Sequence, residues 1–447
     1  MRGRPNLYVS YEDEQAILPT WTKRVLMVVF GLAAVLIPLG AVLQFGERTV
    51  QPFGFLAGGD WLRILGTVAI TAIAALGLNI LTGLCGQVSL GHAFFIGIGA
   101  YTAAVLGSPV GAAGVFGSRW GAGLPMWVWL PAAGIVAAMV GALVAPTAVR
   151  VRGLYLAFVT LGLVFIGEWM FRTFVAVTGG SQSGRSFPPL NLRLWGIERE
   201  GQPATGPGLD LVGDGPSWAP INWLDWLLGP WINLPDTMSS EAKHYVVLGA
   251  IAVVFVLFAK NLQRTRIGRS FMAIRDRDIA AEVMGVADAG AKTRAFAISS
   301  FYAGVSGALL GAFVTRLIPE SFGLDLSVQF VAIILIGGAG TVTGALLGTV
   351  FVVVLPRLVQ DFSLWLTETV NAGGFLAPVA DLVVSTGPGD FGLVSTSQGV
   401  TPGLNVAQLN FVLYGVLIII FLIFEPLGLY GIWIRIRNYW KAWPFTY

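Results

Sequence analysis

Charged residues are scarce in this chain. Only 11% of its 447 residues are Asp, Glu, Lys or Arg, whereas 55% are hydrophobic and the mean hydropathy is +0.75. A soluble domain usually carries about 25% charged residues, so this chain could not cover a globule with polar surface, which excludes a soluble enzyme. Several uncharged apolar runs are about 20 residues long, which is enough to cross the hydrocarbon core of a bilayer. We predict an all-α fold, a polytopic bundle of transmembrane helices.

Residues that serve disulfide, metal and nucleotide chemistry are also scarce. Cys85 is the one cysteine, which excludes an intrachain disulfide and a cysteine metal cage. The two histidines, His92 and His244, argue against a histidine-rich metal site. No glycine is followed by lysine, so a P-loop for ATP phosphates is absent, as are the H-E-x-x-H and G-x-S-x-G motifs. We expect no catalytic residue, no metal site and no cofactor, and therefore a protein that is not itself an enzyme.

The apolar runs predict ten membrane spans. They lie near 25–45, 62–82, 88–107, 126–149, 153–178, 244–260, 294–317, 326–339, 341–359 and 406–430. Both termini are basic, whereas the stretch 358–434 contains neither Lys nor Arg. Because basic loops favour the cytoplasmic side, we predict that both termini are cytoplasmic and that the number of crossings is even. Eight crossings would also satisfy this rule if two glycine-rich stretches do not fully cross.

These spans divide the chain into membrane and loop segments. The segments are a cytoplasmic tail at 1–24, spans one to five at 25–178, an extracytoplasmic loop at 179–243, spans six to ten at 244–430, and a cytoplasmic tail at 431–447. The second half contains a cytoplasmic loop at 260–294 and an outer loop at 360–405. The 179–243 loop is rich in proline and tryptophan, which fits either a docking surface for an extracytoplasmic partner or packing at the membrane interface.

The cytoplasmic loop 260–294 has a mixed charge. It contains eight basic and four acidic residues, and its apolar residues Ile274, Ile279, Ala281 and Val283 allow a short amphipathic helix around 270–284. Gly285 then provides a C-terminal stop. A helix that anchors to a membrane surface would be basic opposite an apolar face, so the carboxylates in this helix favour docking on a soluble protein.

Polar residues interrupt the apolar sequence after the second span. Asn79, Gln87, Ser89 and His92 cluster around glycines that include Gly91. Polar, glycine-interrupted segments at membrane depth must be buried in protein or line an aqueous cavity, and such segments form solute sites in many transporters. Two interpretations remain open: a solute pathway, or a tight turn in which His92 is a packing residue.

Other small and charged residues favour structural roles. The clusters Gly97–Gly99 and Gly337–Gly340 indicate close helix packing, and Gly340, Gly344 and Gly348 are spaced to share one helix face. Glu168 and Arg172 are four residues apart, which predicts an ion pair near the outer interface.

Four segments together resemble one known family, the permease subunits of branched-chain amino acid ABC importers. They are Gly77–Tyr101, Arg266–Gly285, the run from Ala295 through Pro319-Glu320-Ser321 to Gly340, and Glu425–Gly431. The pattern is most similar to the second of the two permease types, which is usually called M. The outer segments 179–243 and 360–405 look longer than is usual for the family.

The resemblance implies a multi-subunit importer in the bacterial inner membrane. It implies two ATP-binding cassette ATPase subunits, a homologous second permease and an extracytoplasmic solute-binding protein as partners, within a lipid bilayer and without nucleic acid. It implies that the 260–294 loop is the ATPase coupling segment, with Arg269, Arg275, Asp276, Ala280, Ala281, Glu282 and Gly285 as its candidate residues. It also favours the pathway interpretation, in which the residues along the route of an amino acid substrate are Asn79, Gln87, Ser89, Gly91 and His92.

Other functions remain open at this point. Relatives with the same scaffold import urea, short amides or other amino acids. A secondary transporter would need an ion-coupling group inside the spans, where only Glu168 and Arg172 clearly lie. A membrane scaffold without transport would have an unbroken packed interior.

Overall fold

The computed structural model describes most of the membrane region. The described residues are 25, 31, 42–45, 48–50, 59–108, 121–151, 153–187, 190–193, 208–210, 215–216, 232–233, 237–372, 384–385, 394–395, 404–425 and 427–442. Within these ranges the protein is a bundle of apolar α-helices, so the predicted fold class is confirmed.

The helices follow one another in a regular order. They are α1 (Gly59–Leu78), which continues into a π-helical segment (Asn79–Leu84), α2 (His92–Gly107), α3 (Met126–Arg150), α4 (Leu154–Thr173), α5 (Val175–Thr178), α6 (Gly180–Ser183), α7 (Ser240–Leu262), α8 (Arg266–Val283), α9 (Asp288–Val314), a 3₁₀ turn (Pro319–Phe322), α10 (Leu324–Gly337), α11 (Val342–Ala372), α12 (Val406–Phe424) and α13 (Gly428–Ala442).

Short strands occupy the segments between the long helices. They are β1 (Val42–Phe45), β2 (Arg48–Val50), β3 (Arg185–Ser186), β4 (Asn191–Arg193), β5 (Gly208–Asp210), β6 (Gly215–Pro216), β7 (Ile232–Asn233), β8 (Thr237–Met238), β9 (Arg316–Leu317), β10 (Val384–Ser385), β11 (Val394–Ser395) and β12 (Leu404–Asn405). Strand β1 pairs antiparallel with both β2 and β7. Three further antiparallel pairs are β3 with β9, β4 with β5, and β6 with β8. Strand β11 pairs in parallel with both β10 and β12.

The centre of the bundle is built by α1 and α9. Their apolar windows are 72% and 67% buried, more than those of the other long helices described. Helix α9 packs against α1, α2 and α3, and its small residues Ser300, Gly304 and Ala308 are buried. Small side chains let neighbouring backbones approach closely, which is how helices associate where lipid removes the hydrophobic driving force.

Local sequence explains where α7 and α8 begin. The Ser239 hydroxyl accepts a hydrogen bond from the Ala242 N–H at 3.3 Å, and the Thr265 hydroxyl accepts one from the Gly268 N–H at 3.3 Å. Each side chain caps backbone N–H groups that a helix start leaves without a partner. A Cβ on Gly268 would lie 2.8 Å from Cα of Gln263, so glycine permits the sharp turn between the two helices.

The predicted number of ten spans is not confirmed. Seven described helices are long and apolar enough to cross a membrane, and two shorter apolar helices are found at His92–Gly107 and Val412–Phe421. Most of the predicted first span, 25–45, lies outside the described residues, and its last part, Val42–Phe45, is a strand. The remaining nine predicted spans each overlap one of the described helices.

Several predicted boundaries differ from the structure. Helix α11 runs to Ala372, so it enters the predicted outer loop 360–405. The predicted last span, 406–430, is broken between Phe424 and Gly428, and the predicted tail 431–447 is helical as far as Ala442. Helix α12 ends just before Glu425, and α13 begins three residues later at Gly428, which adopts a φ of +63°.

Candidate functional site

The junction between α1 and α2 is held by the amide of Asn79. Its Oδ1 accepts a hydrogen bond from the Gly340 N–H at 2.8 Å, and its Nδ2 donates to the Thr341 carbonyl at 3.1 Å. Both polar atoms of this buried amide are therefore used by the backbone of the turn between α10 and α11. Asn79 joins two turns that lie far apart in the sequence.

The same junction requires glycine at a point of close approach. A Cβ on Gly83 would clash with the Asn79 side chain and with the Gly340 backbone, whose Cα would be 2.8 Å away. The turn containing Gly83 therefore packs directly on the turn containing Gly340. Gly340 was predicted to share a helix face with Gly344 and Gly348, but it lies in this turn with a φ of +85°, before α11 begins at Val342.

His92 and Ser89 are buried and make their contacts within the protein. His92 Nε2 lies 2.9 Å from the Ala74 carbonyl, and its ring meets Phe330 edge-on with 5.3 Å between centroids. Ser89 Oγ accepts a hydrogen bond from the Gly91 N–H at 3.3 Å. With 1% exposure each, Asn79, Ser89 and His92 are enclosed by protein in this structure, and their role along a solute pathway stays a prediction.

Gly91 is also enclosed by protein. A Cβ at this position would lie 2.8 Å from the Thr160 carbonyl oxygen of α4. Among the five candidate pathway residues, Gln87 alone lines one of the described cavities, a polar pocket of about 200 Å³. Its amide donates to the Cys85 carbonyl at 3.3 Å and is half-buried. Arg275 and Lys292 also line this pocket.

The helix predicted around 270–284 is present as α8 and is longer than predicted. Its buried residues include Phe271, Ile274 and Ala281. It ends at Val283, two residues before Gly285, which has a φ of +87°, and the Val286 N–H donates to the Ala281 carbonyl at 2.9 Å. This left-handed glycine terminates the helix in the way that the sequence predicts.

A kink divides α8 into two halves. Arg277 has an extended backbone, with φ −158° and ψ 104°, inside the helix. Of the four apolar residues that the sequence assigned to this amphipathic helix, Ile274 and Ala281 are buried, whereas Ile279 and Val283 are 66% and 82% exposed. Met284, which follows them, is 84% exposed. At 100° per residue even a straight helix would place Ile279 and Val283 about 140° and about 180° from Ile274, so helical spacing alone accounts for their outward direction.

The candidate coupling residues are divided between the surface and the interior. Arg269, Asp276, Ala280, Glu282 and Gly285 are exposed, whereas Ala281 is buried. Arg275 extends toward the α1–α2 junction: its Nη1 donates to the Gly83 carbonyl at 3.0 Å, and its Nε donates to Asp276 Oδ1 at 3.2 Å.

Arg275 therefore lies in a crevice made by two glycine turns. A Cβ on Gly86 would be 2.8 Å from Arg275 Cγ, and a Cβ on Gly340 would be 2.9 Å from Arg275 Nη1. No sequence pattern indicates this arrangement, because the three segments are far apart in the chain. Together, Arg275 and Asn79 connect α8, the α1–α2 junction and the α10–α11 turn.

A buried ion pair lies behind this crevice. Lys292 Nζ is 2.8 Å from Asp288 Oδ2, and both side chains are more than nine-tenths buried. The two residues are four apart in the sequence, a spacing that places both side chains on one helix face and would have predicted the pair. Burial raises the pKa of the neighbouring Cys85 thiol to about 12, so the thiol is protonated at neutral pH.

The opposite end of the bundle carries a second charged group. Arg172 Nη2 is 2.5 Å from Glu168 Oε1, which confirms the predicted pair, and Arg172 Nε is 3.3 Å from Glu320 Oε1. Among the described residues, no three His, Cys, Asp or Glu side chains are grouped to hold a metal ion.

Comparisons with known proteins agree with this arrangement. Residues 61–422 match the family described as branched-chain amino acid transport system / permease component. The chain is 31% identical over 310 residues to the high-affinity branched-chain amino acid transport system permease protein LivM of Escherichia coli strain K12, covering 69% of this chain and 66% of the relative. The LivM protein of Salmonella typhimurium gives the same values, so the match spans just under two thirds of these relatives.

A second group of relatives matches a smaller part of the chain. The autoinducer 2 import system permease protein LsrC of Enterobacter sp. strain 638 is 32% identical over 152 residues, which cover 31% of this chain and 44% of the relative. No solved structure is significantly similar. The family match covers most of the bundle, including the junction, α8 and the α10–α11 turn. The chain is therefore a multi-pass membrane protein that belongs to the family of permease components of branched-chain amino acid transport systems.

Proposed function

We propose that this chain is the permease subunit of an ATP-binding cassette importer that moves branched-chain amino acids across the bacterial inner membrane. The observation that carries the proposal is the exposed end of α8, where apolar and charged side chains lie together outside the bundle. The family match and the LivM relatives support the choice of solute. The direction of transport and alternating access belong to the proposal as well.

The ATPase docking face is the second half of α8. Ile279, Val283 and Met284 are among the most exposed large apolar residues described, and they adjoin the exposed carboxylate of Glu282. Lipid does not suit this surface, because burying the carboxylates of a mixed-charge helix in a bilayer is costly. A groove on a soluble protein can cover the apolar residues and pair the charges. Two ATPase subunits would each seat one such helix, one from this chain and one from a homologous permease.

Arg275 and Asn79 pass the movement of α8 to the membrane helices. The Arg275 guanidinium donates a hydrogen bond to the Gly83 carbonyl. The Asn79 amide accepts one from the Gly340 N–H and donates one to the Thr341 carbonyl. A displacement of α8 would thus move the ends of α1, α2, α10 and α11 together. In the proposed mechanism these helices rock and the solute pathway opens to the other side. Arg275 acts inside the permease rather than within the ATPase groove.

Gln87 remains the candidate pathway residue. It is the one of the five that faces a polar pocket, next to the crevice that α8 would move. A solute-binding protein would deliver the amino acid at the opposite face, and the second permease would complete the pathway.

The docking proposal is tested by Val283→Glu. We expect the variant to reach the membrane but to lose association with the ATPase subunits, because a new carboxylate replaces an apolar contact. Co-purification of the chain with tagged ATPase measures this association. Ile318→Glu is the matched control, since Ile318 is 39% exposed near the 3₁₀ turn and should leave association intact. Normal co-purification of Val283→Glu would refute the docking face.

A second variant separates docking from transmission. Arg275→Gln removes the guanidinium that reaches Gly83 but leaves the exposed end of α8 unchanged. We expect normal ATPase association, and ATP hydrolysis that no longer rises when the solute-loaded binding protein is added. Loss of association in Arg275→Gln would instead place Arg275 in the ATPase contact.

A further inference from the structure

Helix α13 lies at the same face of the membrane as α8. Only residues 425–427 separate it from α12, and its first residues pack on the α10–α11 turn. A Cβ on Gly428 would be 2.5 Å from the Ile336 carbonyl oxygen, and a Cβ on Gly338 would be 3.2 Å from Tyr430 Cβ. The same turn contacts Arg275 of α8 through Gly340.

The start of α13 is also fixed to the end of α12. Arg435 Nη2 is 2.6 Å from Glu425 Oε2, and the Glu425 side chain is 9% exposed. This ion pair and the Gly428 contact set the direction in which the helix leaves the bundle. The helix therefore begins directly after the apolar helix α12 ends, at the end of the bundle where the α10–α11 turn and α8 meet.

One side of α13 is apolar and uncovered. Ile432, Trp433, Ile436 and Tyr439 are 38%, 49%, 47% and 59% exposed. At 100° per residue these four positions fall within one arc of the helix, and Asn438 lies on the opposite side. Tryptophan and tyrosine are enriched where membrane meets water, because their rings are amphipathic.

The charge of α13 has a single sign. Its sequence contains Arg435, Arg437 and Lys441 and no Asp or Glu. In this it differs from α8, whose carboxylates fit a protein partner. An apolar face bordered by basic residues is the pattern of helices that lie in the plane of a membrane containing anionic lipids.

We propose that α13 binds the anionic lipid surface of the cytoplasmic leaflet. Its apolar face enters the headgroup boundary, and the basic residues of the helix attract lipid phosphates. Because the helix starts on the α10–α11 turn, bound lipid holds in place the turn that Asn79 and Arg275 connect to α8.

The test places a fluorescent probe on each side of α13 in the full chain. Ile436→Cys and Asn438→Cys are labelled with bimane and reconstituted in nanodiscs of phosphatidylcholine, with brominated phosphatidylcholine or brominated phosphatidylglycerol added. Cys85 is fully buried and its thiol is protonated, so the parent protein measures background labelling. We expect strong quenching at position 436, weak quenching at 438, and a preference for phosphatidylglycerol.

Charge variants test the electrostatic part. Arg437→Gln with Lys441→Gln should lower the preference for phosphatidylglycerol at position 436, by about fivefold for each basic residue removed. Arg437→Lys should retain it. Arg150→Gln with Arg294→Gln removes the same charge from exposed sites elsewhere and should leave the preference unchanged.

Three outcomes would overturn the proposal. Equal quenching at 436 and 438 would show that the apolar side of α13 is not the side that faces the lipid. Equal quenching by both lipids would show that α13 has no preference for anionic lipid. Loss of quenching at 436 when the ATPase subunits are added would assign the face to a protein partner instead.

Discussion

Asn79 illustrates how a polar side chain can be accommodated at membrane depth. The hydrocarbon region contains no water to satisfy backbone groups, so each polar atom needs a protein partner. The Asn79 amide bonds the Gly340 N–H and the Thr341 carbonyl, and it is 1% exposed. Its polarity thus serves the junction between two turns, whereas the sequence by itself left a solute contact equally open.

Replacing Asn79 should therefore affect stability before it affects solute affinity. Asn79→Ala would leave the Gly340 N–H and the Thr341 carbonyl without partners, which costs about 1–3 kcal/mol for each buried group left unsatisfied. We expect a lower Tm for the purified protein in detergent. The control is Thr102→Ala, because the Thr102 hydroxyl bonds only its own helix at Ile98. If Asn79→Ala left the Tm unchanged but weakened solute uptake, the result would support a role of Asn79 in the solute pathway instead.

At the scale of elements, glycine and alanine determine how closely the helices pack. Gly304 of α9 faces Ala133 and Ala137 of α3, where an added Cβ would be 2.6 Å from the Ala133 carbonyl oxygen and 2.5 Å from Ala137 Cβ. Close backbone approach of this kind stabilises helix pairs in lipid. The interface has no space for one more carbon atom.

Gly304→Ala should destabilise the bundle even though alanine favours helices. Overpacking costs about 1–3 kcal/mol, which exceeds the gain of about 1 kcal/mol from helix propensity. We expect a lower Tm. Gly162→Ala is the matched control, since no atom lies within 4 Å of its added Cβ, and it should keep or raise the Tm. The same loss in both variants would contradict the packing argument.

Elements with a strong local pattern were predicted well, and those that depend on distant contacts were not. The apolar runs located nine of the described helices because their length and composition follow from the bilayer. Gly285 marked the end of α8 because a left-handed residue is a local requirement. The kink at Arg277 was missed, because a helical pattern in the sequence assumes an unbroken helix.

At the scale of the whole molecule, two faces have different chemistry. One face carries α8, α13 and the junction between them, with most of the basic residues described. The other carries Arg172, Glu168 and Glu320 around the 3₁₀ turn. Because basic segments remain in the cytoplasm, the first face should be the inner one.

Cysteine accessibility tests this orientation. A membrane-impermeant maleimide should label Ser181→Cys in intact cells, and it should label Val283→Cys and Tyr439→Cys only after the cells are permeabilised. All three positions are exposed, and the buried Cys85 should remain unlabelled in the parent chain. Labelling of positions 283 and 439 from opposite sides would contradict the shared face of α8 and α13. Labelling of both in intact cells would reverse the orientation.

The amino-acid sequence by itself determined the membrane class, the approximate positions of the helices, the end of α8 and the family resemblance. These properties depend on local composition and on short motifs. The tertiary structure alone decided which polar groups face protein and which face outward. Asn79 finds its partners at Gly340 and Thr341, and Arg275 finds its partner at Gly83, because folding brings together segments separated by hundreds of residues. No local pattern encodes that proximity, so the connection between α8 and the membrane helices became visible only in three dimensions.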